Sequence, residues 1–192
     1  MAETFHDPLV LPDNLPVPQD DGAARHLEGL RLPDIALAAT DGATVNLSTL
    51  KGRTVVYVYP RSGRPGVPAP DGWDAIPGAR GCTPQSCSFR DHFADLKRLD
   101  VAQLFGLSTQ DGEYQREAVE RLHLPFAILS DEGLALTRAL RLPTFSVGGM
   151  TLLKRMVWVI DDGVISHVFY PVFPADRSAE AVVAWLRASD SH

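Results

Sequence analysis

The stretch Arg53-Thr54-Val55-Val56-Tyr57-Val58-Tyr59-Pro60 decides the fold of this chain. Its β-branched and aromatic residues form a nearly continuous run, whereas a strand with one solvated face alternates apolar and polar residues. The run therefore predicts a strand that is buried on both faces, at the centre of a layered domain.

Predicted strands and helices alternate on either side of this stretch. Asp41-Gly42 between two short runs predicts a β-hairpin before it. After it, the pattern predicts strands at 103–107, 126–129, 154–160 and 164–170, and helices at 83–98, 112–122, 132–140 and 177–188. This order predicts an α/β domain with a central β-sheet flanked by helices and extended by the N-terminal hairpin. The sheet should be mixed, because the last two strands form a hairpin.

Composition limits the classes of function that the chain can have. It has 192 residues, 45% of them hydrophobic and 22% charged, which is ordinary for one globular domain. The formal net charge of −6 argues against nucleic acid or a membrane surface as a partner. The acidic N-terminus lacks the apolar core of a secretory signal, so we expect a cytoplasmic protein.

Two segments stand apart from this pattern. Residues 1–25 are polar and proline-containing without periodicity, and they predict an extended or disordered arm ahead of a domain at 26–192. Residues 61–81 form a long insertion rich in proline and glycine. It is either a functional loop or a surface loop held in place by Trp73.

The insertion ends at the only two cysteines of the chain, in Gly81-Cys82-Thr83-Pro84-Gln85-Ser86-Cys87. Two thiols are too few for a structural zinc site, which needs four ligands, so we expect no metal. Thr83 is suited to cap the following helix and Pro84 to be its first residue. A helix N-terminus favours a thiolate, and this predicts Cys82 as the nucleophile.

Helix geometry keeps the two thiols apart. Five residues of α helix rise by about 7.5 Å, and their side chains point in different directions. A disulfide needs Cα atoms within about 7 Å of each other. A bond between Cys82 and Cys87 would therefore require the first helical turn to unwind.

The assembled pattern resembles the peroxiredoxins, in particular the bacterioferritin-comigratory or peroxiredoxin Q subgroup, over roughly residues 28–188. The resemblance lies in three elements in the family's order. A Val58-Tyr59-Pro60 strand end precedes the reactive loop, Gly81-Cys82-Thr83 and Cys87 begin the helix, and Arg155 stands just before the strand Val157–Ile160.

The resemblance implies a thioredoxin-like fold and a thiol peroxidase without a cofactor. By this match Cys82 is the peroxidatic cysteine, Cys87 resolves it through an intramolecular disulfide, and Arg155 stabilises the anion. Substrate contacts would come from Pro60, Tyr59 and Thr83. The implied partners are a peroxide, thioredoxin or a similar dithiol reductant, and at most a second copy of the chain, as a monomer or homodimer.

The sequence also departs from the family pattern. The family's active-site threonine, counted back from Cys82, is replaced by Ala79, and the glutamate three residues after the nucleophile is Gln85. We expect Thr83 or a group in the insertion to supply the missing hydroxyl, with Arg64 or Arg80 as further sources of positive charge.

Two other interpretations of the cysteine pair remain open. The chain could be a non-enzymatic redox switch that forms the same disulfide and signals through a partner. Alternatively, both thiols are inert, and Arg155 merely pairs with Asp161 or Asp162.

Overall fold

The computed structural model describes residues 9–191, and these fold around a central β-sheet. The strands are β1 (Ala36–Ala39), β2 (Thr44–Asn46), β3 (Arg53–Val58), β4 (Val101–Ser108), β5 (Ile128–Ser130), β6 (Thr144–Val147), β7 (Met150–Leu153), β8 (Met156–Asp161) and β9 (Val164–Phe169). The helices are α1 (Cys82–Asp91), α2 (Phe93–Arg98), α3 (Gly112–Leu122), α4 (Ala135–Leu140) and α5 (Ser178–Ser189).

Strand β3 lies near the middle of the seven-stranded sheet, whose order is β2-β1-β5-β4-β3-β8-β9. It runs parallel to β4 on one side and antiparallel to β8 on the other. The late hairpin of β8 and β9 forms one edge, and the early hairpin of β1 and β2 forms the other. The predicted mixed α/β sheet with an N-terminal hairpin is therefore confirmed.

From Val55 onward, the side chains of β3 and of the following Tyr59 alternate between two hydrophobic layers. Val56 and Val58 pack in a layer with residues of α4 and the first hairpin. Val55, Tyr57 and Tyr59 face the opposite way and pack against helices α1 and α5. Burial on both faces accounts for the unbroken apolar run from Val55 to Tyr59.

The structure differs from the sequence-based prediction at the helix over 83–98, which is two helices rather than one. The turn between them is His92, whose ring Nδ1 lies 2.9 Å from the carbonyl oxygen of Ser88. The same carbonyl also accepts the His92 backbone amide at 3.1 Å. The predicted apolar stripe nevertheless packs inward, with Phe89 and Leu96 buried.

A further hairpin, β6–β7, is absent from the sequence-based prediction. Its strands pair with each other, outside the seven-stranded sheet, around Gly148-Gly149. A Gly-Gly pair between apolar runs is a hairpin signal that could have identified it.

The insertion packs on this hairpin. One turn of 3-10 helix at Trp73–Ala75 places the Trp73 side chain in a small hydrophobic cluster with Ala79 and Leu152. Its ring centroid lies 6.1 Å from that of Phe145. The insertion is thus folded against the domain at its second half, immediately before Cys82.

The predicted N-terminal arm is described from residue 9 onward, and its first eight residues lie outside the described part. No helix or strand forms between residues 9 and 21. Ala24 and Leu27 are buried in the main hydrophobic core, so the arm joins the domain there. Among residues 9–191, no helix is long and apolar enough to cross a membrane.

Removal of the Phe89 side chain should destabilise the protein strongly. Phe89 is fully buried and stacks on Tyr57 with a centroid distance of 4.6 Å, so Phe89→Ala leaves a cavity between α1 and β3. We expect a loss of about 3–5 kcal/mol in the free energy of unfolding, measured by urea titration. Phe173→Ala is the control, because Phe173 is 43% exposed. Equal losses for the two variants would contradict this account of the core.

Candidate functional site

The reactive helix has its N-cap and its first helical residue two positions earlier than the sequence indicates. Gly81 is the N-cap, with φ of 114°, and Cys82 is the first helical residue, so Thr83 is not the cap and Pro84 is not the first residue. The first turn closes through the Gln85 amide, which donates to the Gly81 carbonyl at 2.9 Å. The amides of Cys82 and Thr83 consequently have no acceptor within the helix.

Gly81 is required where it stands because its backbone and its surroundings both exclude a side chain. A left-handed φ is rarely adopted by residues with a Cβ. A Cβ at this position would lie 2.7 Å from the Cβ of Ala175 and 3.2 Å from Cδ2 of Leu11. The chain can therefore turn sharply into Cys82 while two neighbouring segments pack on the turn.

Arg155 lies between β7 and β8, and its guanidinium contacts the sulfur of Cys82. Nη2 is 3.3 Å from Sγ. The same nitrogen lies 3.2, 3.0 and 3.3 Å from the carbonyl oxygens of Gly78, Ala79 and Arg80. The last turn of the insertion thus forms a ring of carbonyl groups around the cation and beside the thiol.

Gln85 holds the other side of the guanidinium. Its Oε1 accepts a hydrogen bond from Nη1 of Arg155 at 2.5 Å, and its Nε2 donates to Oγ of Ser178 at 3.1 Å. Gln85 therefore links α1 to the connection between β7 and β8 and to the start of α5. Sequence reasoning noted Gln85 as a departure from the family but did not find Ser178.

No carboxylate takes part in the hydrogen bonds described for Arg155. Asp161 instead pairs with Arg53, and Asp162 accepts from the amide of Gly52. The pairing of Arg155 with Asp161 or Asp162, which the inert-thiol interpretation expected, is therefore wrong. Arg155 is 3% exposed, so the carbonyl groups of residues 78–80, Gln85 and the sulfur of Cys82 surround its guanidinium in place of water.

Cys87 lies inside α1 in a different environment. It is partly buried, and both cysteines are free thiols. Burial raises the pKa of the Cys87 thiol, while the charges of Arg90 and Arg121 offset part of that rise. With the helix intact from Cys82 onward, the predicted separation of the two thiols stands, and the disulfide requires local unwinding.

Tyr59 and Pro60 lie at the end of β3 and are both buried. Burial raises the pKa of Tyr59 well above its ordinary value. The nearby Ser108 hydroxyl offsets part of that rise, and the proximity of Cys82 adds to it. The Tyr59 hydroxyl makes no hydrogen bond of good geometry among the described residues. A buried hydroxyl in this state is available to a bound molecule.

The residues suggested as a replacement hydroxyl or as sources of further positive charge lie in different places. Thr83 is buried in the first turn of α1. Arg80 pairs with Asp74 at 2.8 Å, and Arg64 stacks over the ring of Tyr114 at 4.1 Å from its centroid. Neither side chain is a described hydrogen-bond partner of Cys82.

Ser62 is a hydroxyl that sequence reasoning missed. It is buried two residues after Pro60, and its amide donates to Oε1 of Gln110 at 2.9 Å. Gln110 in turn donates to the Ser62 carbonyl at 3.1 Å. Its position shortly after Pro60 was the sequence signal that could have identified it.

Within residues 9–191, no group of three or more histidine, cysteine or acidic side chains could hold a metal.

Comparisons with known proteins identify the family of the chain. The Redoxin family matches residues 27–183. The chain is 32% identical over 152 residues to chloroplastic peroxiredoxin Q of Oryza sativa subsp. japonica, covering 78% of this chain and 62% of that protein. It is 32% identical over 160 residues to peroxiredoxin Bcp of Escherichia coli (strain K12), covering 81% of this chain and 92% of that one. The chain thus spans only about three fifths of the rice protein's length.

A solved structure agrees in fold. Peroxidoxin BcpB from Mycobacterium tuberculosis superposes with a TM-score of 0.67 and 25% identity, over 84% of this chain and 96% of that one. The chain belongs to the Redoxin family. Within it, the chain is a peroxiredoxin of the Bcp and peroxiredoxin Q type, as the sequence resemblance implied.

The raised pKa of Cys87 leads to a pH-dependent prediction. A thiol whose pKa is raised in the folded state carries less thiolate at a given pH than a free thiol, so it alkylates more slowly. In a Cys82→Ser variant, Cys87 should react with iodoacetamide more slowly than a free cysteine at about pH 8. The rate should rise as the pH rises. The same variant in denaturing guanidinium is the control, and equal rates in the two conditions would contradict the prediction.

Proposed function

We propose that this protein is a thiol peroxidase that reduces hydrogen peroxide or organic hydroperoxides through Cys82. The contact of 3.3 Å between Nη2 of Arg155 and Sγ of Cys82, at a helix N-terminus, carries this proposal. A buried cation and free helix amides both favour the thiolate over the thiol. The thiolate is the form that attacks peroxides.

The first step transfers two electrons from sulfur to the peroxide. The thiolate attacks the terminal oxygen, an S–O bond forms, and the O–O bond breaks. Cys82 becomes a sulfenic acid that keeps the proton of the attacked oxygen. The O–O electron pair leaves with the other oxygen, which takes up a proton to become water or an alcohol. Arg155 would stabilise the charge that develops on this leaving oxygen.

The second step forms an intramolecular disulfide. The sulfur of Cys87 attacks that of Cys82, the S–O bond breaks, and water is released. Because α1 separates the two residues, this step needs the first helical turn to open. Opening would also return Cys87 to solvent, where its pKa approaches that of a free thiol.

Substrate binding would use groups beside the thiol. The buried Tyr59 hydroxyl, which makes no well-formed hydrogen bond, could donate to a peroxide oxygen. Pro60 would shield the sulfur from water, and the amide of Thr83 would contribute a further donor. The hydroxyl that the sequence analysis sought in Thr83 or the insertion is on this account best supplied by Tyr59.

The remaining partners follow from the chemistry and the charge. A dithiol protein of the thioredoxin type would reduce the disulfide by thiol exchange, and no cofactor is needed. The net charge of −6 argues against nucleic acid or a membrane surface. We further propose a cytoplasmic location and a monomer or homodimer.

A non-enzymatic redox switch is the second candidate, and one observation favours it. Ala79 occupies the position of the family's threonine, and its methyl side chain offers no hydroxyl to a peroxide. A switch would form the same disulfide completely but would react slowly with peroxide. The rate of oxidation by a stoichiometric amount of peroxide separates the two functions.

The cysteine roles can be tested by substitution. Cys82→Ser should abolish peroxide consumption, because it removes the nucleophile. Cys87→Ser should complete one oxidation per chain and retain a sulfenic acid that dimedone traps. Loss of hydrogen peroxide in stopped flow and mass spectrometry provide the measurements. Consumption by Cys82→Ser at the parental rate would refute the proposed function.

The role of Arg155 can be tested with lysine. Arg155→Lys keeps the charge but cannot contact the sulfur, three carbonyls and Gln85 at once. We expect the rate of Cys82 oxidation to fall about 10²-fold, as when one transition-state donor is removed. Arg98→Lys is the control, because the Arg98 side chain is 75% exposed. A rate within about twofold of the parent would contradict the assignment.

A further inference from the structure

The N-terminal segment at residues 9–21, here called the strap, crosses the turn that leads into Cys82. Cδ2 of Leu11 would lie 3.2 Å from a Cβ on Gly81, and Cβ of Pro18 would lie 3.5 Å from one on Gly78. The carbonyl of Val10 is 3.5 Å from Nη2 of Arg80. Contacts at both ends of the strap therefore fall on the 78–81 turn, whose carbonyls surround Arg155.

The strap is anchored at its C-terminal end by Asp21. This carboxylate accepts hydrogen bonds from Nζ of Lys154 and from the Tyr170 hydroxyl, each at 2.8 Å. Both bonds hold the pKa of Asp21 well below its ordinary value, so the carboxylate stays charged near neutral pH. Lys154 directly precedes Arg155, and this fixes the strap next to the site.

Space is limited on two sides of Gly81, the residue before Cys82. Ala175 packs on Gly81 from the segment before α5, and Leu11 packs on it from the strap. Nη2 of Arg155, which contacts the Cys82 sulfur, lies within 3.9 Å of a Cβ position on the same glycine. Leu11 and the guanidinium are therefore both neighbours of Gly81, and Cys82 itself is only 3% exposed.

We propose that the strap makes the site selective for small peroxides, with Leu11 as the specificity-determining residue. This inference rests on the proposed peroxidase function. Hydrogen peroxide has no substituent to accommodate, whereas the organic group of a bulky hydroperoxide must occupy space next to the sulfur. While the strap is docked, Leu11 occupies part of that space, and release of the strap admits the larger substrate.

The test compares hydrogen peroxide with cumene hydroperoxide in Leu11→Ala and Asp21→Ala, each in the full chain. The first variant shortens the side chain that fills the space, and the second removes the anchor. We expect kcat/KM for cumene hydroperoxide to rise about tenfold, the size of effect that a small change in an apolar pocket produces. The kcat/KM for hydrogen peroxide should change less than about twofold.

Val17→Ala is the matched control, because Val17 lies on the same strap but is 56% exposed. This variant should leave kcat/KM for both peroxides at the parental level. Hydrogen–deuterium exchange at residues 9–18 should rise in Asp21→Ala, which reports release of the strap independently of activity. Far-UV circular dichroism checks that each variant folds.

Three outcomes would overturn the inference. One is an unchanged ratio of the two kcat/KM values in Leu11→Ala and Asp21→Ala, and another is a parallel fall for both peroxides. The third is an equal rise in Val17→Ala. In each of these the parent still consumes peroxide, so the proposed function survives. A parent chain that consumes neither peroxide refutes the proposed function, and the inference with it.

Discussion

The site depends on one constraint, the burial of the Arg155 guanidinium without a carboxylate among its hydrogen-bond partners. Removing a cation from water costs several kcal/mol unless other groups replace the lost hydration. Here the carbonyls of residues 78–80 and the Gln85 side chain do so, at distances between 2.5 and 3.3 Å. The sulfur of Cys82 is a further neighbour of the cation, 3.3 Å from Nη2.

This constraint explains why the long insertion is compatible with the site. The carbonyl groups around Arg155 require only that the last turn of the insertion, Gly78–Gly81, holds its position. Trp73, buried on the β6–β7 hairpin, and the Asp74–Arg80 ion pair hold that turn. The rest of the insertion can vary without moving the guanidinium. The strap adds contacts on the outer side of the same turn, so three separate segments converge on the residues before Cys82.

The fold and the main site residues were predictable because their signals are local. A continuous apolar run predicted β3, and residue alternation predicted most of the other elements. The order of Pro60, Cys82 and Arg155 matched a family pattern. The helix start was misplaced by two residues because, in isolation, Thr83 is a good N-cap and Pro84 a good first helical residue. Gly81 took the position instead, since only glycine fits its φ of 114° between Ala175 and Leu11.

By itself, the sequence determined the central strand and the mixed sheet, because periodicity is a property of neighbouring residues. The order of its motifs singled out Cys82 and Arg155 as the candidate thiol and cation. Tertiary structure alone decided what surrounds that thiol. Leu11, Ser178 and the carbonyls of 78–80 come from distant parts of the chain, and no local pattern marks them as neighbours. Packing of the folded chain brings these groups together. The buried guanidinium donates to the acceptors that the folded backbone places around it.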